Sequence, residues 1–254
     1  MTDTAFDTVI VLTGASRGLG AALARDLAAP RTKIIALLRK PDPALEADVA
    51  AKGGVLQQVA VDLADLDDTA VQADILFPAM PAGAQRYWLI NNAGTVAPIS
   101  TIAGLGDPAA LRTAFDINVN AVILLSAAFL RAMTGRQAQG RLLNISSGAG
   151  RNAKAGWGVY CATKAALDMF TRTVNTERDT HGVAAVALAP GVVDTDMQGA
   201  IRASDPAHFP AVAQFQGMKD KGQLASPANV AASIHAYLQR DDFGQTEIDD
   251  IRNY

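Results

Sequence analysis

A strand-like stretch at residues 8–12, apolar from Val9 to Leu12, feeds directly into Thr13-Gly14-Ala15-Ser16-Arg17-Gly18-Leu19-Gly20, and a helical pattern follows over 18–28. A strand that ends in a glycine-rich turn and restarts as a helix commits the chain to crossover connections and a parallel sheet. Gly14, Gly18 and Gly20 let the backbone turn tightly and come close to a neighbour. The helix that follows begins with unpaired N–H groups and the positive end of its dipole, which together favour an anion such as a pyrophosphate. The spacing departs from the G-x-G-x-x-G of many dinucleotide-binding folds.

The rest of the chain repeats this unit. Stretches at 33–38, 55–61, 87–90, 141–146 and 183–187, most of them largely apolar, and a last one near 245–249, read as strands. Stretches at 43–52, 66–78, 108–133, 158–180 and 228–239 read as helices. Strands apolar at every position are buried on both faces. The expected fold is α/β: a single-domain Rossmann fold over residues 1–254, a doubly wound parallel sheet of about seven strands with helices on both faces. Residues 192–226 break the rhythm, with Gly199, Pro206, Pro210, Gly217 and Gly222, and follow a strand's carboxyl end, where open α/β sheets bind ligands. They are expected to form a lid.

Composition narrows the class. With 50% hydrophobic and 19% charged residues the chain can build a large core. A net charge of −3 gives no electrostatic reason to expect nucleic acid or an anionic membrane as partner. Residues 1–7 lack a basic start, no apolar run approaches the roughly 20 residues of a membrane helix, and Cys161 is the single cysteine. A soluble, cytoplasmic protein is expected. Cys161 reads as a packing residue, and His181, His208 and His235 are isolated, so no metal site is expected.

The second strand ends at Leu38 and continues into Arg39-Lys40, where a site for NAD carries an acid that holds the ribose 2′-hydroxyl. Arg39 pairs instead with a 2′-phosphate, and Arg17 approaches from the glycine turn, which points to NADP(H). Farther on, Tyr160 and Lys164 stand four apart, on one helical face. A nearby ammonium lowers the ordinary phenol pKa of about 10, so the pair is a candidate proton donor. Ser147 lies thirteen residues before Tyr160, placed to polarise a carbonyl, and Asn91-Asn92-Ala93-Gly94 closes the fourth strand.

Taken in order and spacing, Thr13 to Gly20, Asp62-Leu63, Asn91 to Gly94, Asn118-Val119, Ser147, Tyr160 with Lys164, and Pro190-Gly191 followed by Thr195 resemble the short-chain dehydrogenase/reductase family over nearly the whole chain. The resemblance implies Tyr160 as proton donor and Lys164 as the residue that tunes it and holds the nicotinamide ribose. It implies Ser147 as carbonyl-orienting residue and Asn118 as part of a proton relay. It implies a cofactor cradle of Gly14, Ser16, Arg17, Gly18, Leu19, Gly20, Arg39, Asp62, Leu63, Asn91, Ala93, Gly94, Pro190, Gly191, Val193 and Thr195.

Within that family, Lys154-Ala155-Gly156-Trp157-Gly158-Val159-Tyr160 and the stretch from Pro190 through Met197 into Ile201-Arg202 resemble the benzil reductase and sepiapterin reductase branch. Trp157 and Met197, with Ser147, are the expected substrate contacts, and Phe209, Phe215 and Met218 make the lid apolar. Such a pocket suits a hydrophobic small-molecule ketone or α-diketone. Asp194 and Asp196 are expected to form salt bridges or cap a helix starting near Met197. Sepiapterin reductases imply an acid near the C-terminus that anchors the pterin; Asp249 and Asp250 are the candidates. The resemblance also implies a homodimer or homotetramer packed through the long helices at 108–133 and 158–180.

Overall fold

Seven parallel strands form one sheet, with β1 (Thr8–Thr13), β2 (Thr32–Leu38), β3 (Val55–Ala60), β4 (Arg86–Asn91), β5 (Gln139–Ile145), β6 (Val183–Ala189) and β7 (Ile248–Asp250) in the order β3-β2-β1-β4-β5-β6-β7. The computed structural model describes residues 6–254; the expectation about a leader segment at 1–7 therefore falls mostly outside the described residues. The strand order reverses between β1 and β4, which opens a crevice at their carboxyl ends.

Two-sided burial explains the apolar strands. Ile10 and Leu12 of β1 point into a layer with α1 (Gly18–Leu27), α2 (Pro43–Ala51) and α10 (Pro227–Leu238). Val9 and Val11 point the other way, onto α3 (Leu66–Leu76), α5 (Ala121–Met133) and α6 (Gly158–Thr176). Local chemistry sets the helix starts. Asp42, Asp65 and Ser226 accept from backbone N–H groups at the heads of α2, α3 and α10, and Asp107 does so for α4 (Pro108–Phe115). A proline opens α2, α4 and α10.

Some expectations need correction. The helix at 108–133 is interrupted by a π-helical turn over Asp116–Asn120. As one run, Pro108–Met133 is long and apolar enough to cross a membrane, contrary to the reading of the apolar runs, although half of its most apolar stretch is buried. The helix at 158–180 stops at Thr176; a short α7 (Arg178–His181) follows and ends at Gly182, whose φ of 72° breaks it. The last strand begins at Ile248, not Gln245. Residues 192–226 are not irregular throughout, since they hold α8 (Asp196–Arg202) and α9 (Val212–Asp220).

Candidate active site

A cavity of about 830 Å³ runs along the carboxyl ends of the strands, from the glycine turn to α8 and α9. At one end the first turn of α1 has neither a side-chain cap nor an acid, unlike α2, α3, α4 and α10, so its N–H groups remain available to an anion. Gly14 holds φ at +69°, and a Cβ on Gly20 would lie 2.1 Å from the Gly14 carbonyl oxygen. Only glycine fits these positions, and the cradle is shaped for a dinucleotide's phosphates.

Twenty of the expected site residues line this one cavity. Besides Gly14 and Ser16 to Gly20 of the glycine turn, they are Arg39, Asp62, Leu63, Ala93, Gly94, Ser147, Trp157, Tyr160, Lys164, Pro190, Gly191, Val193, Thr195 and Met197. Asn91 and Asn118 do not line it. The Asn91 amide donates to Asn144 at 2.9 Å and Ser126 at 3.2 Å, so it braces β4 against β5. Asn118 sits in the π-helical turn. Its Oδ1 accepts from the Thr95 N–H at 2.8 Å, and its Nδ2 donates to the Thr95 carbonyl at 2.8 Å and to Thr163 Oγ1 at 3.1 Å. The side chain thus fixes the wall beside Gly94.

Arg17 and Arg39 both face the cavity. Arg17 is held at 3.0 Å by Asp196 of α8, with both side chains exposed. An exposed pair of this kind is worth about 0–1 kcal/mol, so it yields readily to a phosphate. Arg39 is exposed and makes no ion pair among the described residues.

Tyr160 and Lys164 are both buried. Lys164 Nζ donates to the Ile145 carbonyl at 2.8 Å and lies 5.7 Å from the centre of the Tyr160 ring. The expected lowering of the phenol does not occur. Burial pushes Tyr160 up to about 12, Ser147 beside it pulls the other way, and Cys161 adds a little. Burial likewise pushes Lys164 down to about 8. Lys164, itself pushed down to about 8, has lost its proton before a phenol at about 12 titrates, so no ammonium charge is left to lower the phenol. A phenol held protonated at neutral pH is suited to donate a proton.

The apolar wall has its own small core. Trp157 stacks on Phe209 with centroids 5.0 Å apart and planes at 12°, and meets the Tyr160 ring edge-on at 5.5 Å. Phe215 packs 5.4 Å from Trp157, Phe209 is completely buried, and Met197 packs against the same cluster. Lys154 lies over Phe215 at 5.0 Å. Val96, Asn152, Gln198 and Arg252 also line the cavity, and sequence reasoning passed over them as lining residues. The signal for most was position: each but Gln198 follows the carboxyl end of a strand.

Asp194 pairs with Lys219 at 2.5 Å and Arg202 at 3.8 Å, so the two lid acids form salt bridges; Thr195, not an aspartate, precedes α8. Asp249 is buried and accepts from the hydroxyls of Tyr237 at 2.9 Å and Tyr254 at 2.6 Å. That leaves Asp250, held by Arg252, at the cavity. None of the three histidines lines it, and no metal-binding group of three occurs among the described residues.

A protein-family model described as short chain dehydrogenase matches residues 8–206. The benzil reductase ((S)-benzoin forming) of Bacillus cereus is 35% identical over 242 residues, which span 94% of this chain and 97% of that protein. The sepiapterin reductase of Meriones unguiculatus is 34% identical over 249 residues, 92% of each. A solved short-chain dehydrogenase/reductase from Burkholderia vietnamiensis has a TM-score of 0.68 at 33% identity, covering 98% of this chain and 99% of the other.

Proposed function

Since the chain belongs to the short-chain dehydrogenase family, an oxidoreductase family whose fold binds a nicotinamide cofactor, we propose that it uses NADPH to reduce a hydrophobic ketone or α-diketone to the hydroxy compound. The observation that carries this reading is the convergence of Ser147, Tyr160 and Lys164 on a cavity walled by Trp157, Phe215 and Met197. The cofactor, when bound, supplies the hydride. Arg39, Arg17 and the head of α1 hold its phosphates, while Gly94, Lys164 and Thr195 hold the nicotinamide half. Ser147 orients the substrate carbonyl, and Tyr160 gives its proton to the carbonyl oxygen. Residues 192–226 act as the lid that excludes water.

A Tyr160 pushed up to about 12 is protonated near neutral pH, the form from which a proton is given to a carbonyl oxygen. The same residues catalyse alcohol oxidation, and reduction is proposed as the working direction with NADPH. The B. cereus relative's name specifies benzil, and the apolar aromatic wall supports a substrate of that kind. Sepiapterin is the second reading, favoured by the likeness to sepiapterin reductases. Against it, Asp249 is committed to two tyrosine hydroxyls, and only the Arg252-paired Asp250 is left to anchor a pterin. A homodimer or homotetramer through the faces of α4 to α6 belongs to the proposal, supported by the exposed Phe115, Ile123 and Met169.

The test is a carbonyl panel of benzil, other α-diketones, simple ketones and sepiapterin, assayed with NADPH and NADH in parallel. Reduction of the aromatic diketones with NADPH is expected. A tenfold preference for NADH, or turnover confined to sepiapterin, contradicts the proposal.

A further inference from the structure

Ser147 sits between two anchor points, and both meet one buried acid. On one side the Ser146 hydroxyl donates to Asp168 Oδ1 in a short hydrogen bond. On the other, the 3₁₀ turn Gly148–Gly150 presses against the same carboxyl group. A Cβ on Gly150 would lie 2.8 Å from Asp168 Oδ2 and 2.9 Å from the Lys164 carbonyl. Asp168 is 4% exposed and stands one helical turn after Lys164 on α6. Its Oδ2 has no hydrogen-bond partner among the described residues.

A buried carboxylate with an idle oxygen is destabilising unless charge or hydrogen bonds compensate it. The cations facing Asp168 are Arg151, just after the 3₁₀ turn, and Lys164 and Arg172 on its own helix. Arg151 and Arg172 are exposed, so water screens them, whereas Lys164 is buried.

We infer that Asp168 is a positioning residue, which clamps the Ser147 loop onto the helix bearing Tyr160 and Lys164 and supplies the counter-charge that Lys164 faces. The inference rests on the reading of Ser147, Tyr160 and Lys164 as the reacting set. The titration directions agree with it. Burial pushes Asp168 up, and the Ser146 hydrogen bond, Arg151 and then Lys164 pull it back; burial pushes Lys164 down to about 8 and Asp168 pulls it back.

The experiment uses full-length protein with ¹⁵N-labelled lysine side chains. The Lys164 Nζ resonance is identified by its loss in Lys164→Arg, and its titration is followed by NMR in wild type, Asp168→Asn and Ser146→Ala. Asp168→Asn keeps the shape of the acid and removes its charge. The Lys164 midpoint is expected to fall by roughly one pH unit, with the alkaline limb of kcat moving alongside and kcat at pH 8 dropping about fivefold. Ser146→Ala withdraws a donor from the carboxylate and leaves its charge less shielded, so the midpoint rises by a smaller amount; this variant carries the test should Asp168→Asn fail to fold. An unmoved midpoint overturns the inference, including the case where activity falls equally at every pH, because packing alone then explains Asp168. The two readings fail separately. Wild type inactive on every carbonyl but with the midpoint shifted defeats the proposed function, and an active enzyme with an unmoved midpoint defeats the role of Asp168.

Discussion

Replacing Phe209 with alanine removes the contact that ties the segment between α8 and α9 to the body of the protein. Phe209 is completely buried, stacks on Trp157 at 5.0 Å and meets Phe215 at 5.6 Å. A buried Phe→Ala exchange costs about 3–5 kcal/mol, of which the aromatic geometry accounts for about 0.5–1.5. The other links of residues 196–220 to the body are the Phe215–Trp157 contact at 5.4 Å, Lys154 over Phe215 at 5.0 Å, the exposed Arg17–Asp196 pair and a 3.4 Å contact between His208 and Ser100. The loss therefore emerges as local opening rather than global unfolding. A loss of about 3 kcal/mol raises the opening constant roughly 100-fold. Hydrogen exchange followed by mass spectrometry reads this directly. Amides across 205–220 should exchange roughly 100-fold faster while those of β5 and β6 keep their protection, and kcat/KM for the carbonyl should fall. Equal acceleration in β5 and β6, or no acceleration at 205–220, refutes the view of this segment as a separately opening lid.

Arg39→Ala should raise the KM for NADPH by tenfold or more, since a hydrogen bond to a charged group contributes about 1.5–3 kcal/mol, and leave NADH nearly unaffected. An unchanged NADPH-to-NADH ratio removes Arg39 from the cofactor's ribose end. For pH dependence, Lys164 pushed down to about 8 keeps its proton below that value and loses it above, while Tyr160 pushed up to about 12 stays protonated throughout. Reductive kcat/KM is accordingly flat in mildly acidic buffer and falls as pH rises through about 8. A profile that climbs over the same interval contradicts this assignment.

What the sequence disclosed, and what it hid, follows from which forces leave a local pattern. β6 has all seven residues buried, so two-sided burial shows as an unbroken apolar run. The glycine turn and the Tyr160–Lys164 spacing are equally local. In contrast, α8 and α9 are short, and their buried Ile201, Val212 and Phe215 turn into the cavity cluster rather than onto the sheet. Without a sheet-facing stripe, Pro206 and Pro210 dominated the pattern there, although they fall only between the two helices. The π-helical turn at Asp116–Asn120 leaves no signature in apolar spacing. Asn91 and Asn118 were legible as motif members, but the partners of their amides depend on strands and helices distant in sequence. Asp168 reads as one more polar position on α6, and the groups that meet it, Gly150 and Ser146, are distant in sequence. The titration of Tyr160 is hidden for a related reason: spacing reveals a neighbouring lysine but not the burial that raises the phenol and lowers the lysine.

The central claim is that this cavity reduces a carbonyl with NADPH by proton transfer from Tyr160. Following NADPH absorbance with benzil at neutral pH, in wild type and Tyr160→Phe side by side, tests it most directly. The account predicts turnover by wild type, a loss of at least about 100-fold in the variant, and NADPH binding retained in both. A Tyr160→Phe enzyme that keeps most of its activity, or a wild type that binds NADPH and reduces no diketone, contradicts it.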